Sequence, residues 1–140
     1  MSRSRPVILV AAATGFSLLG DQLLYAVLPT CYAELGLLPY QVGLILSVNR
    51  WVRLLTNHAA ERLARRLPDG ALLSGALALG ALLTALYAAR PAFVVLLAAR
   101  ALWGLSWSVI RQTGLMTVVD CCAAASAARW MGVYSGLSRI

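Results

Sequence analysis

Five charged side chains fall inside long apolar stretches of the sequence, where their types and positions could do chemistry. They are Asp21, Arg50, Arg53, Arg100 and Arg111. A charge at the centre of a membrane-spanning helix costs roughly 2.5–3.5 kcal/mol on insertion scales, so these side chains are expected to face protein or water. An acid beside an arginine in a partly dry cavity can exchange a proton when its surroundings change. Asp21 is therefore the candidate proton-exchanging group, and the arginines are candidates for lining a polar cavity.

The composition restricts the class of protein. The chain has 140 residues, of which 61% are hydrophobic and 12% charged, and its mean hydropathy is +0.78. A domain of this size cannot bury so much apolar surface around one core, which predicts an integral membrane protein with the lipid bilayer as a partner. The net charge of +7 comes from arginine alone. Nucleic acid is not expected as a partner, because a phosphate-binding protein needs its basic groups gathered on a wet face.

The residues that usually hold metals or form catalytic groups are few. The three cysteines are Cys31, Cys121 and Cys122, and His58 is the single histidine. Their number and spacing suit neither a disulfide framework nor a metal site. The sequence also has no paired-carboxylate or Ser/His arrangement facing one cavity. We therefore predict that the protein is not an enzyme and uses no metal or cofactor.

Helices must position these residues. The sequence supplies about 20 mostly apolar residues, the length of a membrane span, in four stretches: about 7–32, 40–63, 70–89 and 91–117. A fifth begins at about 128 and stops halfway through a span. Asp69 is the predicted N-cap of the third helix. Residues 1–140 are thus expected to form an all-α, polytopic membrane helix bundle as one partial N-terminal transmembrane domain.

The distribution of arginine outside the predicted helices indicates orientation. One side carries Arg3, Arg5, Arg62, Arg65, Arg66 and Arg129, whereas the other side carries Arg90. Cytoplasmic loops of membrane proteins carry an excess of basic residues. The N-terminus and the loops after the second and fourth helices are therefore predicted to be cytoplasmic.

Polar residues on three of the predicted helices recur at helical spacing and form stripes. The stripe on the first helix contains Thr14, Ser17, Asp21, Tyr25 and Tyr32; on the second, Gly43, Ser47, Arg50, Arg53, Asn57 and Glu61; on the fourth, Arg100, Trp103, Gly104, Trp107, Arg111 and Gly114. The third helix has no such charges and is expected to face lipid and pack through its glycines.

Counting helical rise places one acid and two bases near the same depth. Asp21 lies level with Arg100, and Arg50 lies about one turn lower. The stripes predict a central hydrophilic cavity, with Tyr25, Trp103 and Trp107 as possible lining residues. The sequence leaves open which arginine pairs with Asp21. It also leaves open whether the pair only holds helices together and whether the tryptophans line the cavity or pack against a helix.

Residues 57–66, NHAAERLARR, resemble a known signature. They are similar to the pattern G-x-L-A-D-R-x-G-R-K in the loop between helices 2 and 3 of the major facilitator superfamily. Glu61 stands at the acid, Arg62 at the arginine after it, and Arg65 and Arg66 at the closing basic pair. Asn57 replaces the first glycine. The stretch RALWG, residues 100–104, resembles the family's helix 4 pattern R-x-x-x-G, which places Arg100 and Gly104 in that motif.

The resemblance implies a fold and a function. It implies the first four and a half helices of a transporter of about twelve helices, which moves a small molecule by alternating access and can be coupled to protons. The missing C-terminal half would then be a partner. Residues 20–29, GDQLLYAVLP, resemble helix 1 of bacterial exporters, which implies efflux across the bacterial inner membrane. In the family, the acid of the loop signature belongs to a latch that closes the cytoplasmic side. For Glu61, whose charge opposes the dipole of its own helix, we expect a compensating partner elsewhere in the protein.

Two other functions remain open. A self-contained small multidrug transporter, acting as a dimer with an acid in its first helix, fits the length of the chain and the position of Asp21. It does not account for the arginines of the second and fourth helices. A truncated membrane fragment without transport activity is compatible with the sequence ending inside a fifth helix.

Overall fold

Five α-helices account for most of the chain. A computed structural model describes residues 5–138, and within that range no β-strand occurs. The helices are α1 (Arg5–Cys31), α2 (Pro39–Ala64), α3 (Asp69–Ala88), α4 (Phe93–Cys121) and α5 (Ala124–Leu137). The predicted all-α fold class is confirmed.

Local sequence explains where α2 begins. Gly36 adopts a left-handed conformation with φ of 66° in the turn that follows α1, a conformation that costs glycine little. Pro39 then occupies the first turn of α2, where its missing N–H is not needed. The side-chain carbonyl of Gln41 accepts a hydrogen bond from the backbone N–H of Leu38 at 2.8 Å, which satisfies a free donor at the helix start.

The start of α3 differs from the prediction. Asp69 is the first residue of the helix and not its N-cap, and Pro68 occupies the cap position in an extended conformation. The Pro68 carbonyl accepts a hydrogen bond from the backbone N–H of Leu72 at 3.1 Å. Asp69 therefore acts through its charge in the first turn, where an acid interacts favourably with the helix dipole.

The ends of α4 also differ from the prediction. The helix begins at Phe93 and continues to Cys121, four residues beyond the predicted end, because no glycine or proline interrupts the segment after Thr117. Only Cys122 and Ala123 separate α4 from α5, which begins about four residues earlier than expected.

Contacts fix the relative direction of the helices. α4 packs against each of the other four. α1 and α3 run antiparallel to α4, α2 runs parallel to it, and α5 runs parallel to α1. The pairs that contact or share a packed cluster are Asp21 with Arg100, Leu28 with Leu96, Ile45 with Leu96, Thr56 with Ser108, Leu72 with Val109, Leu83 with Ala99, Val7 with Tyr134, and Gly15 with Leu137.

These helix directions place the start of α1, the α2–α3 loop and the α4–α5 turn at one end of the bundle. We call it the arginine-rich end, because it carries Arg5, Arg62, Arg65, Arg66 and Arg129. Arg90 lies at the opposite end. Arg3 lies outside the described residues. The assignment of the arginine-rich end to the cytoplasm stays a prediction.

Three of the helices, α1, α3 and α4, are long and apolar enough to cross a membrane. These helices indicate an integral membrane protein. α2 has sufficient length at 26 residues, but its polar residues make it the least hydrophobic of the five helices, so its crossing of the bilayer stays a prediction.

The glycines of α3 do not all take part in packing. A Cβ atom on Gly80 would lie 3.4 Å from the hydroxyl of Ser106 and 3.7 Å from that of Ser17, whereas one on Gly70 or Gly75 would meet nothing within 4 Å. Of the glycines of α3, Gly80 therefore lies in close packing, and Gly20 of α1 makes a second close approach, to Thr84 of α3. Much of the rest of the α3 surface is exposed.

Candidate functional site

A buried ion pair joins α1 to α4. The Arg100 guanidinium donates a hydrogen bond to the carboxylate of Asp21, and the two residues are 0% and 3% exposed. Moving either charge out of water costs several kcal/mol, which only a partner of opposite charge offsets. The structure thus pairs Asp21 with Arg100 and leaves Arg50 exposed.

Two aromatic rings cover the Arg100 guanidinium. Its central carbon lies 5.1 Å from the ring centroid of Tyr25 and 5.8 Å from that of Trp103, distances at which a cation is attracted to the face of a ring. The Tyr25 hydroxyl donates a hydrogen bond to the backbone carbonyl of Leu46 at 3.1 Å. Tyr25 therefore links the ion pair to α2 as well.

Polar atoms around the pair are incompletely satisfied. Within residues 5–138, Nε and Nη2 of Arg100, Nε1 of Trp103 and the hydroxyl of Tyr87 are buried without a hydrogen-bond partner. Buried donors of this kind usually have partners, and each one without a partner costs about 1–3 kcal/mol. The Tyr87 hydroxyl lies close enough to the Arg100 guanidinium to interact with it, so a small change in side-chain position would satisfy two of these groups.

A pair of tryptophans leads from the ion pair towards a cleft. The rings of Trp103 and Trp107 are stacked, with centroids 5.8 Å apart and planes 9° from parallel. Trp103 is 1% exposed, whereas Trp107 is half-buried and lines the cleft. One tryptophan thus packs in the core, and the other lines a cavity.

The cleft consists of two adjoining grooves between α2, α4 and α5. One groove has a volume of about 330 Å³ and the other about 250 Å³. Both are lined by Arg53, Trp107 and Arg111, and we call their union the basic cleft. The first groove adds Arg50, Leu54, Asn57 and Ser108, and the second adds Leu115, Tyr134, Ser135 and Ser138.

The arginines of the basic cleft have no acidic partner among residues 5–138. The ion pairs in that range are Asp21 with Arg100 and Glu61 with Arg65. Arg53 is half-buried and lies within electrostatic range of both members of the buried pair. The cleft therefore carries three uncompensated positive charges, from Arg50, Arg53 and Arg111.

Asn49 and Gly104 bring α2 and α4 into close contact. A Cβ atom on Gly104 would lie 2.8 Å from the side-chain oxygen of Asn49 and 3.0 Å from its backbone carbonyl oxygen. Asn49 is fully buried. A hydrogen bond of 3.2 Å between the hydroxyls of Thr56 and Ser108 joins the same two helices nearer the arginine-rich end. The close approach of α2 to α4 at Asn49 therefore requires a glycine at position 104, one turn along α4 from Arg100.

We expect Gly104→Ala to destabilise the protein, because the new methyl group meets a backbone atom of α2 that cannot rotate away. The cost of such overpacking is about 1–3 kcal/mol, and thermal unfolding in detergent measures it. Gly43→Ala is the matched control, since a Cβ atom there meets nothing within 4 Å and alanine favours a helix. Equal melting temperatures for Gly104→Ala and wild type would contradict the close contact.

Glu61 has its partner within the same segment. Its carboxylate accepts a hydrogen bond from Arg65 at 2.6 Å, and the side chains are 45% and 74% exposed, respectively. Glu61 lies in the last turn of α2, beyond the residues needed for a span. The hydrogen bond and charge of Arg65 lower the pKa of Glu61, which keeps it ionised. The expectation of a compensating partner elsewhere is not met within residues 5–138, because Arg65 supplies it one turn away.

The structure separates the predicted site residues into three groups. The first group is the buried pair, Asp21 and Arg100, with its neighbours Tyr25, Trp103 and Gly104. Arg50, Arg53, Asn57, Trp107 and Arg111 line the basic cleft. Glu61, Arg62, Arg65 and Arg66 lie apart from both groups, at the arginine-rich end.

Several residues of the site were not predicted from the sequence: Asn49, Tyr87, Ser108, Tyr134, Ser135 and Ser138. Asn49 and Thr56 lie seven residues apart and face α4, beside the stripe of α2. That spacing was the available signal for a second polar face on α2. In the part of the chain that is described, no group of three His, Cys, Asp or Glu residues could hold a metal ion.

Comparison of the chain with protein-family models, with curated proteins and with solved structures gave no match.

Proposed function

We propose that the chain is the N-terminal part of a secondary transporter of the major facilitator type, which moves a small molecule across the bacterial inner membrane by alternating access. The observation that carries the proposal is the buried pair of Asp21 and Arg100, which the stacked Trp103 and Trp107 link to a polar cleft between helices. Three apolar helices and the loop motif at Glu61 support the same proposal.

Asp21 is the proposed coupling acid. When its carboxylate takes up a proton, the attraction for Arg100 is lost, while the guanidinium keeps its charge and its contacts with Tyr25 and Trp103. The pair then no longer holds α1 to α4, and the two helices can adopt a different relative position. When the proton leaves to the other side of the membrane, the ion pair forms again. Proton movement is thereby linked to a change in helix packing.

The α2–α3 loop is the proposed latch on the cytoplasmic side. Arg62 and Arg66 are exposed and have no carboxylate partner among residues 5–138. They are available to contact acidic groups of the C-terminal half that the proposal requires. The same half would cover the open side of the basic cleft.

Uptake by inverted membrane vesicles tests the proposal. Vesicles containing the product of the whole reading frame, whatever its length, are incubated with a cell extract under an imposed pH gradient, and accumulated compounds are identified by mass spectrometry. We expect at least one compound to accumulate only when both protein and gradient are present. If folded protein is present and nothing accumulates beyond control vesicles, the transport proposal is wrong.

The proposed topology gives a separate prediction. A single cysteine replacing Arg65, in a background with Cys31, Cys121 and Cys122 changed to serine, should react with a membrane-impermeant maleimide in inverted vesicles and not in intact cells. The reason is the excess of arginine at that end of the bundle. A cysteine replacing Arg90 should behave in the opposite way. Labelling of position 65 from outside intact cells would refute the orientation.

A further inference from the structure

The basic cleft presents positive charge and hydrogen-bond donors together. Arg53 and Arg111 line both of its grooves, and Arg50 lines one. The amide of Asn57 and the hydroxyls of Ser135 and Ser138 add neutral donors. A planar guanidinium matches the two oxygens of a carboxylate or the oxygens of a phosphate or sulfonate, and such charge-assisted hydrogen bonds are about twice as strong as neutral ones.

Nothing in the described part of the chain neutralises this charge. The one acid at similar depth, Asp21, is held by Arg100, and its side chain is 4% exposed. Glu61 is held by Arg65. Glu34, Asp69 and Asp120 lie near or beyond helix ends. Since three uncompensated arginines in a membrane protein are costly, an occupant of opposite charge would stabilise the cleft.

The cleft also has the size and surface for an organic molecule. Its larger groove, of about 330 Å³, lies within the range of small-molecule sites, about 300–1,000 Å³, and the adjoining groove adds about 250 Å³. Trp107 lines both grooves, and Leu54 and Leu115 add apolar surface. A molecule that combines an acidic group with a compact apolar body would use both kinds of contact.

We propose that the basic cleft is a binding site for a small organic anion, held through its acidic group by Arg53 and Arg111 and against Trp107 by its apolar body. That this anion is the transported substrate rests on the proposed function. Arg53 and the stacked tryptophans would then link the cleft to the coupling pair, so the charge of the bound anion would act on Asp21 and Arg100 through Arg53.

Three probes that share a nitrophenyl ring and differ in charge test the inference. They are 4-nitrobenzoate, an anion, 4-nitrobenzyl alcohol, which is neutral, and 4-nitrobenzylammonium, a cation. Binding to the purified product of the whole reading frame is measured by quenching of tryptophan fluorescence, which nitroaromatic rings cause at short distance. We expect saturable quenching by the carboxylate with a Kd at least tenfold lower than that of the alcohol. Equal affinity for the three probes, or preference for the ammonium, would overturn the proposal.

Paired substitutions locate the site. Arg53→Gln with Arg111→Gln should raise the Kd for 4-nitrobenzoate at least tenfold and leave that for the alcohol unchanged. Arg90→Gln with Arg129→Gln is the matched control, because it removes the same charge from exposed positions outside the cleft. If both double variants bind 4-nitrobenzoate with the same affinity, the cleft is not the site.

A second measurement does not depend on the arginine variants. Ser135→Cys, in the background without native cysteines, places a thiol in the second groove. 4-Nitrobenzoate should slow its reaction with a maleimide, whereas 4-nitrobenzyl alcohol at the same concentration should not. Equal reaction rates with the two probes would overturn the proposal even if the arginine variants failed to fold.

These results separate the two proposals. Charge-selective binding without uptake of any compound by vesicles would remove the transport function and leave the anion site. Gradient-dependent uptake of neutral or cationic compounds alone, without carboxylate-selective binding, would remove the anion site and leave the transport function.

Discussion

Replacement of Asp21 by asparagine should strongly lower the thermal stability of the protein. The substitution keeps the size of the side chain but leaves the Arg100 guanidinium, which is 0% exposed, without a counter-charge. Removing one partner of a buried ion pair costs about 3–5 kcal/mol, which is a large share of the stability of a typical domain. The monodisperse fraction in fluorescence-detected size-exclusion chromatography, together with thermal unfolding, measures this loss.

Two variants make the Asp21 experiment specific. Asp120→Asn removes an exposed acid at the end of α4 and should leave the folded fraction unchanged. Asp21→Asn combined with Arg100→Gln removes both charges and should restore most of the folded fraction, because no isolated charge stays buried. A single Asp21→Asn variant as stable as wild type would contradict the ion pair.

Replacement of Trp103 by alanine is expected to have the next largest effect. Trp103 is 1% exposed, packs with Leu83 and Ala99, stacks on Trp107 and covers Arg100. Truncating a buried tryptophan to alanine costs about 3–5 kcal/mol, because the surrounding side chains only partly fill the cavity. Thermal unfolding of the purified protein should show a large decrease in melting temperature.

Trp51→Ala is the control for the Trp103 variant, since Trp51 is 67% exposed and its removal leaves no internal cavity. The Trp103 substitution should also change the surroundings of Trp107, which shifts the fluorescence of the remaining tryptophans. Equal destabilisation by the two variants would contradict the position of Trp103 in the core.

Helical periodicity predicted which faces of α1 and α4 carry the residues of the buried pair. It placed Asp21 and Tyr25 on one stripe and Arg100 and Trp103 on another, because residues three and four apart share a face. It did not decide between Arg50 and Arg100 as the partner of Asp21. Periodicity gives a direction around each helix axis, whereas the choice of partner depends on which helix packs against that face. In the structure, α4 meets α1 at this depth.

The close contact of α2 with α4 could not be predicted for a similar reason. Asn49 lies beside the polar stripe of α2, and nothing in the sequence distinguishes it from other polar residues. Its burial follows from Gly104, a residue 55 positions later that lets the two backbones approach. Such a contact depends on how far the two helices are shifted along their axes relative to each other. The resemblance of residues 100–104 to the helix 4 pattern identified Gly104 but not its neighbour Asn49.

Helix ends were the least predictable elements. Asp69 has the side chain of a good N-cap, but Pro68 occupies that position in an extended conformation and Asp69 is the first residue of the helix. α5 starts after Ala123 without a side-chain cap, so the sequence around residue 124 carries no start signal of the usual kind. A partner for Glu61 elsewhere in the protein stays a prediction, and the structure adds Arg65, one turn along the chain, as a local partner.

The double variant Asp21→Asn with Arg100→Gln tests the central claim most directly. In inverted vesicles, it is compared with wild type for accumulation of a compound identified by the uptake experiment, with and without a pH gradient. If Asp21 couples proton movement to transport, wild type accumulates the compound against its concentration gradient, whereas the folded double variant only equilibrates it. Accumulation by the double variant to the wild-type level would show that the pair is structural and would contradict the account.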